Sequence, residues 1–469
     1  MRRFHGAEAG EAVVGLEAAD GTPADGTPAE AMPALRVSPA DGSRASEFMA
    51  LAVAAAVPAL AWWSLWVVLY GQHNFNDFHD FWLAAKLITM GRSPYDIHAL
   101  QALADAENLH FVLGGGYLYP LPFAVAMVPF TALPFATSVL VFNYLSLALF
   151  GLTVSAWFGW AHGWAPELRR RRFALAAVAG LYPPVYGTIA NGQANLVLLP
   201  LTAAGVVLAL DGHRLVRRGA GGVLIGLAAI VKLVPGVLIL PLFLGRRIEA
   251  AVGIVAGALG ALVAANLIAP FAGNGDTGYS YMFNRADEYF TNQSFNGFVT
   301  RLVTDSDRTV ALWPGAFDAR LPMMAVTVAF GLATVAVLWR YRSALATRRG
   351  LALGLGFALV AGIAGAPKNS FWNQTSSLLA VGLILSVEAP DLRLSRLGRT
   401  NLILLGCWLA GAAVFTLFWT WPPPKSSPLA PAFTILESSS LFGLLAIWWL
   451  FVRLLRRPEV AAAPGRPRP

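Results

Sequence analysis

Long apolar runs recur from Phe48 almost to the C-terminus of this 469-residue chain, and they restrict its possible folds more than any other feature. A helix needs about 20 mostly apolar residues to cross the hydrocarbon layer of a membrane. Hydrophobic residues make up 57% of the sequence and charged residues only 13%, about half the share typical of a soluble domain. The pattern therefore predicts an all-α polytopic protein embedded in a lipid bilayer.

The predicted transmembrane domain covers residues 48–452 and contains roughly twelve spans. The spans are predicted near residues 48–70, 136–160, 173–189, 192–210, 219–231, 235–244, 248–270, 321–340, 350–366, 375–388, 401–421 and 432–452. Residues 1–47, rich in Ala, Gly and Pro, bury too little to fold and are predicted to form a disordered cytoplasmic tail. Residues 453–469 form a basic cytoplasmic tail.

The stretch 219–244 could form either a hairpin of two short spans or one helix, and the choice reverses the orientation of all later spans. Cytoplasmic loops of membrane proteins carry an excess of Lys and Arg. With the hairpin, 25 of the 34 Lys and Arg residues fall on one side, and every segment on that side is basic. The charges therefore favour the hairpin, with both termini cytoplasmic in a bacterial-type inner membrane. The main outer loops are then 71–135 and 271–320.

Composition and motif content argue against several functional classes. The cations behind the net charge of +8 lie in short clusters between apolar runs, which is where topology signals lie. No soluble basic domain is left to bind nucleic acid, so we expect no nucleic-acid partner. Cys407 is the single cysteine and permits no disulfide within one chain. The sequence has no Cys/His metal spacing, no P-loop and no Gly-x-Ser-x-Gly motif. We therefore expect no metal, no other cofactor and no nucleotide hydrolysis.

The first outer loop is predicted to contain two short helices, at 77–91 and 94–109. Ser93 and Pro94 resemble an N-cap followed by proline at the first helical position. The first helix carries one apolar face, which predicts an amphipathic helix lying on the membrane surface; the face comprises Phe78, Phe81, Trp82 and Ala85. Residues 118–134 are apolar but broken by prolines, which indicates an interfacial or re-entrant segment.

Two carboxylates, Asp77 and Asp80, occupy neighbouring positions at the start of the first of these helices, with His79 between them. They could serve only the helix, with Asp77 or Asn76 as its N-cap and Asp80 in its first turn. They could instead supply acid–base chemistry beside the membrane. The spacing alone leaves both interpretations open.

Lys232 lies in the otherwise apolar run Leu224–Leu244. An ionisable residue in such a run is a functional hypothesis by default. A cation at the outer tip of a hairpin could hold a lipid phosphate through charge-assisted hydrogen bonds. It could equally be a lysine that extends its ammonium to the membrane interface.

Polar side chains gather in three further segments. Each of these segments could also be an ordinary solvated turn or loop. Residues 191–195 supply amides, residues 284–301 supply amides, aromatics and charges, and residues 367–374 interrupt two apolar spans, as cavity-lining segments do. The candidate substrate-binding residues from these places are Gln193, Asn195, Arg285, Gln293, Arg301, Asn369 and Trp372. Glu437, inside the last predicted span, has no assigned role.

Five blocks, in order, resemble glycosyltransferase family 87, the polyprenyl-phosphate-mannose-dependent α-mannosyltransferases of the GT-C superfamily. The blocks are Asp77-Phe78-x-x-Phe81-Trp82 with Gly91-x-x-Pro94-Tyr95-Asp96, Tyr119-Pro120 through Pro134, Gly192-Gln193-x-Asn195, Gly226-Leu227 through Lys232-x-x-Pro235, and Asn292-Gln293-Ser294 with Arg301. The resemblance implies a GT-C-like bundle and makes Asp77 the catalytic base. Many members carry Ser-Pro-x-Ser-Trp followed by histidines where this chain has residues 366–374, which contain none.

The resemblance and the residues together predict an inverting glycosyltransferase. The expected donor is a sugar, mannose by the resemblance, on a polyprenyl phosphate, and the expected acceptor is a membrane-associated or extracytoplasmic glycan or glycolipid. Lys232, with Arg285 or Arg301, would stabilise the charge on the departing phosphate, while Asp80 and His79 would contact substrate. The alternatives are a secondary transporter, although no repeated halves are visible, and a non-catalytic scaffold, which would leave Lys232 unexplained.

Overall fold

The computed structural model describes residues 39–70, 76–109, 116–162, 166–273, 286–388 and 398–457. Within these ranges the chain is helical and contains no β-strand, only one isolated antiparallel bridge between Asn292 and Ser370. Arg285 and most of the two predicted tails lie outside the described residues. The described residues from Ala45 onward form one compact unit.

The helices of the first half are α1 Pro39–Tyr70, α2 Asn76–Thr89, α3 Ile97–Ala106, α4 Leu121–Met127, α5 Phe135–His162, α6 Arg172–Leu181, α7 Pro183–Ala190, α8 Asn195–Asp211, α9 Leu215–Val231, α10 Ile239–Leu244 and α11 Ile248–Ile268. Those of the second half are α12 Phe295–Arg301, α13 Arg320–Arg340, α14 Arg342–Leu345, α15 Arg348–Gly365, α16 Ser377–Glu388, α17 Gly398–Thr420, α18 Ala430–Glu437 and α19 Ser439–Leu455. The all-α prediction is confirmed. The tail boundaries shift, because 39–47 belong to α1 and 453–455 to α19.

Six helices in the described part are long and apolar enough to cross a membrane, or up to eight if two bent pairs each form one span. They expose large apolar side chains, as in α13, where Leu321 is 77% and Leu332 65% exposed. Such surfaces are what a lipid-facing helix presents. The sequence predicted roughly twelve spans because it counted shorter apolar helices as well, such as α8, which has 17 residues.

The bundle has a polar cavity at one end and charged pairs at the other. Near the second end, Arg348 pairs with Asp211 and Arg218 pairs with Glu249, 2.7 Å between Nη1 and Oε1. Helices α8, α9 and α15, of 17, 17 and 18 residues, each extend roughly 25 Å between that end and the cavity. Arg218 and Arg348, which belong to two of the arginine clusters that the sequence singled out, therefore lie at the end of these helices opposite the cavity.

The hairpin prediction for 219–244 is confirmed and the single helix is excluded. Helix α9 ends at Val231, and Lys232 has extended backbone, φ −137° and ψ 123°. The chain then forms a short 3₁₀ turn, Val234–Leu238, with Pro235 as its second residue. It returns through α10 to Glu249, beside Arg218 near the start of α9. Lys232 is consequently at the tip of the hairpin, where the sequence placed it.

Small residues allow α9 and α11 to pack closely. A Cβ on Gly222 would lie 2.0 Å from the carbonyl oxygen of Ala250, and one on Gly226 would lie 2.1 Å from that of Ile254. Close helix contact through small residues is how membrane helices associate without a hydrophobic driving force between them. The α9–α11 contact fixes the hairpin against the rest of the bundle.

The first outer loop is helical as predicted, with two corrections. Helix α3 begins at Ile97 and is capped by Asp96, whose side chain accepts from the backbone N–H groups of His98 and Ala99; Ser93 is not the cap, and donates to Ala272 instead.

The apolar face of α2 packs on protein, not on the membrane surface. Phe78, for example, is fully buried, with its ring 5.1 Å from that of Phe142. Enough apolar partners exist in α4 and α5 to cover that face.

Candidate active site

A cavity of about 420 Å³ opens where α2, the turn after α7, the tip of the α9 hairpin and the segment between α15 and α16 meet. Its polar lining includes Asp77, Tyr119, Asn191, Gln193, Asn195, Lys232, Tyr289, Thr291, Lys368, Ser370, Trp372 and Asn373. Its apolar lining includes Leu118, Leu198, Val231, Leu233, Val234 and Pro235. The predicted polar interruption at 367–374 does line this cavity.

Gln193 connects the carboxylate of Asp77 to the ammonium of Lys232. Its Nε2 donates to Asp77 Oδ2, and its Oε1 accepts from Lys232 Nζ at 2.7 Å and from the Tyr119 hydroxyl at 3.2 Å. Lys232 Nζ also donates to Asn373 Oδ1 at 2.6 Å. Two donors on Oε1 fix the amide so that its NH₂ group must face Asp77. A carboxylate and a cation are thus held at a set separation in one cavity.

A glycine allows this arrangement to form. Gly192 has φ +63°, a backbone conformation that L residues with side chains rarely adopt, and a Cβ there would lie 2.6 Å from Cβ of Phe78. The turn after α7 can therefore approach α2 at the residue next to Asp77. Gly192 brings Gln193 within hydrogen-bonding distance of the carboxylate.

Burial shifts the pKa of both charged groups. The pKa of Asp77 is raised by burial, which the hydrogen bond from Gln193 and the charge of Lys232 only partly offset. Burial lowers the pKa of Lys232, in the turn after α9, to about 7, while the charge of Asp77 acts in the opposite direction. A carboxylate with a raised pKa is a better general base near neutral pH than an exposed one.

Asp80 and His79 do not line the cavity. Asp80 is 1% exposed, and neither carboxylate oxygen has a hydrogen-bond partner among the described residues. Burial, and then the nearby charge of Asp77, raise the pKa of Asp80 well above its usual range. The His79 ring stacks on Phe135, with 4.5 Å between ring centroids. The structure therefore separates the two carboxylates, and only Asp77 reaches the cavity.

The segments 289–293 and 369–372 pair to form one wall of the cavity, which we call the paired wall. Gln293 N donates to Asn369 O at 2.7 Å, and Phe371 N donates to Thr291 O at 2.8 Å. Three residues predicted to bind substrate, Gln293, Asn369 and Arg301, are fully buried and are not among the lining residues. Two others do line it: Trp372, and Asn195, whose Nδ2 donates to Trp372 O at 3.1 Å.

The structure adds lining residues that the sequence analysis did not propose as substrate-binding. Asn373 holds Lys232, and Tyr119 both bonds Gln193 and places its ring 5.8 Å from Lys232 Nζ. Lys368 adds a second cation, ion-paired to Asp287 at 3.3 Å. Tyr119 begins one of the family blocks, whereas nothing in the sequence distinguished Lys368 and Asn373 from their neighbours in the interruption 367–374. In the described part no three His, Cys, Asp or Glu side chains gather as a metal site requires.

A model of glycosyltransferase family 87 matches residues 117–364, which is more than half of the chain. The chain belongs to glycosyltransferase family 87. The match includes Gln193, Lys232 and Tyr289, whereas Asp77 precedes it and Trp372 follows it. No curated protein and no solved structure matches the chain significantly.

Membership of family 87 makes this membrane protein a glycosyltransferase and gives the cavity a chemical task. Sugar transfer to a hydroxyl needs a base for the hydroxyl proton and a cation or hydrogen-bond donors for the leaving group. Asp77 and Lys232 are groups of these two kinds, and Gln193 hydrogen-bonds to both of them.

Proposed function

We propose that this family 87 glycosyltransferase moves a sugar, which the resemblance suggests is mannose, from a polyprenyl-phosphate donor to a glycan or glycolipid acceptor with inversion. The observation that carries this proposal is the Asp77–Gln193–Lys232 connection inside a cavity that also has apolar lining residues. A base and an anion-binding group are both present in it, and one amide sets the distance between them.

In the proposed step, the Asp77 carboxylate takes the proton of the acceptor hydroxyl while that oxygen forms a bond to the anomeric carbon. The bond from the anomeric carbon to the phosphate oxygen breaks, and its electron pair stays on the phosphate. The charge that gathers on the lipid phosphate is stabilised by the Lys232 ammonium. Gln193 orients Asp77 so that its second oxygen, Oδ1, can accept the proton.

The shape of the cavity supports a donor with a lipid tail. Leu198 and Thr202, one turn apart on α8, line the cavity roughly 5 and 10 Å along the helix from Asn195. Leu233, Val234 and Pro235 line it from the hairpin. An apolar extension that begins beside a lysine suits a phosphate with a hydrocarbon chain better than a water-soluble nucleotide sugar.

The cavity is proposed to face away from the cytoplasm, because Arg218 and Arg348, from two of the arginine clusters, lie at the opposite end of α8, α9 and α15. Both termini would then be cytoplasmic, in a bacterial-type inner membrane.

Purified protein in proteoliposomes, supplied with labelled mannose on a synthetic polyprenyl phosphate, tests the proposal. We expect transfer to an acceptor in a membrane extract, and inversion at the anomeric carbon. Lys232→Met should weaken donor use by about 2 kcal/mol, roughly thirtyfold, because a shielded charge-assisted contact is lost. Lys86→Met, outside the cavity, is the matched control. Transfer from a nucleotide sugar alone, or unchanged donor kinetics in Lys232→Met, would contradict the proposal.

A further inference from the structure

We propose that Arg301 and Glu437 are positioning residues that hold the paired wall to the last helix pair, and that they set the reactivity of the site without touching substrate. This inference rests on the proposed function for its kinetic consequences only. The contacts that support it belong to residues that the transfer step leaves unused.

The paired wall contributes four side chains to the cavity lining. Tyr289 and Thr291 line the cavity from one segment, and Ser370 and Trp372 from the other. Backbone hydrogen bonds join the two segments, and Asn292 N also donates to Tyr289 O at 2.8 Å within the first of them. The position of these four side chains is therefore set by whatever holds the backbone behind them.

Arg301 holds that backbone. Its guanidinium is fully buried, and Nη1 donates to the carbonyl oxygens of Tyr289 at 3.1 Å and Asn292 at 2.9 Å. Gly297 leaves room for these contacts, since a Cβ there would lie 2.9 Å from Nη1 and 2.0 Å from Asn292 O. Arginine suits this task because its donors form a rigid planar fork.

Glu437 provides the attachment on the other side. Its carboxylate lies 3.5 Å from Arg301 Nε and accepts from Thr309 Oγ1 at 2.5 Å, and its backbone oxygen accepts from Gln293 Nε2 at 2.8 Å. Arg301 Nη2 donates to Ser438 Oγ at 2.7 Å. The contacts fall at the 42° bend between α18 and α19. The wall and the bend are thus joined by one buried ion pair and its hydrogen bonds.

A buried ion pair is weak evidence for stability, because apolar residues of similar size often replace one at little loss. We expect this pair to fix the position of the wall, since it joins the wall to a helix bend that is distant in the sequence. A displacement of about 1 Å near reacting groups can reduce a rate a hundredfold. We therefore expect substitutions in the pair to change turnover more than donor affinity, because Lys232 is on another element.

The test places a thiol on the wall with Ser370→Cys, in a Cys407→Ser background, and adds Arg301→Lys, Glu437→Gln or Ser438→Ala. The rate at which a water-soluble reagent modifies the thiol at position 370 reports the position of the wall. We expect that rate to rise severalfold in all three variants. Ser438→Ala removes one hydrogen bond and should fold even if Arg301→Lys does not.

The kinetic arm uses the same three substitutions without the change at position 370. We expect kcat to fall by on the order of ten- to a hundredfold in Arg301→Lys, with donor KM changed much less. Arg348→Lys, in the ion pair with Asp211 at the far end of the bundle, is the matched control and should change neither readout.

If the variants lower only the yield of folded protein, and the folded fraction keeps wild-type kcat and an unchanged thiol reactivity at position 370, the positioning role is wrong. If the wild type shows no transfer from a lipid-phosphate sugar, the proposed function fails. The thiol rates would still decide the role of Arg301 and Glu437.

Discussion

At the scale of single residues, Gln193 determines what Asp77 can do. An amide that accepts two hydrogen bonds on its oxygen has to donate from its nitrogen, so Asp77 receives a donor and remains an acceptor on its other oxygen. Asp80, one helical turn away, is buried and has no such partner among the described residues. The two carboxylates differ in environment, and we expect them to differ in function.

Asp77→Asn should reduce turnover at least about a hundredfold, the low end of general-base contributions, because it removes the basic oxygen and keeps the shape. Asn also caps helices about as well as Asp, so expression and donor binding should be retained. Asp80→Asn, the matched control, should stay within a few fold of wild type. Single-turnover rates and donor binding on both variants measure this. Loss of transfer in Asp80→Asn with normal transfer in Asp77→Asn would reverse the assignment.

The pH dependence should identify Lys232. Because burial lowers its pKa to about 7, the free enzyme loses the ammonium charge above that pH, and kcat/KM for donor should fall. At low pH activity should fall too, as Asp77, whose pKa is raised, becomes protonated. The Lys232→Arg variant keeps its positive charge over the whole pH range. Its kcat/KM should therefore no longer fall at alkaline pH but should still fall at acid pH. Identical alkaline declines in both proteins would show that another group titrates there.

At the scale of elements, the approach of the turn after α7 to α2 decides whether Gln193 reaches Asp77. Gly192→Ala should destabilise the fold by about 1 kcal/mol for the positive φ, and by about 1–3 kcal/mol more for the contact with Phe78. Transfer should fall as well, since the two elements must separate. Thermal unfolding in detergent and transfer rates measure the two effects.

Gly91→Ala separates the two causes. Gly91 has φ +71° but no atom within 4 Å of an added Cβ, so only the backbone cost applies and transfer should be retained. Equal losses of stability and activity in both variants would mean that the contact with Phe78 is unimportant.

At the scale of the whole molecule, sidedness can be measured directly. In a Cys407→Ser background, Trp313→Cys marks the cavity end and Val216→Cys the arginine end; the native residues are 52% and 80% exposed. On intact cells we expect an impermeant maleimide to label position 313, and position 216 only after the membrane is opened. The reverse pattern would invert the proposed orientation and place the site in the cytoplasm.

The sequence by itself determined the helical class, the hairpin at Lys232 and the polar interruption at 367–374. These features depend on the length of apolar runs, on clusters of arginine and on prolines. Each of them is formed by residues that are close together in the sequence, so the sequence shows it directly. The family blocks indicated which polar segments belong to one site, and they assigned Asp77 to that site.

Only the tertiary structure decided which polar residues face the cavity. Gln193 and Asp77 are 116 positions apart, and Arg301 and Ser438 are 137 apart, so no local spacing reports either contact. Arg301, Gln293 and Asn369 have the side chains of ligand-binding residues, yet they are buried behind the wall. The apolar face of α2 looked suited to lipid and meets aromatic rings of α5 instead. A side chain's chemistry is local, whereas its surroundings depend on segments that only folding brings together.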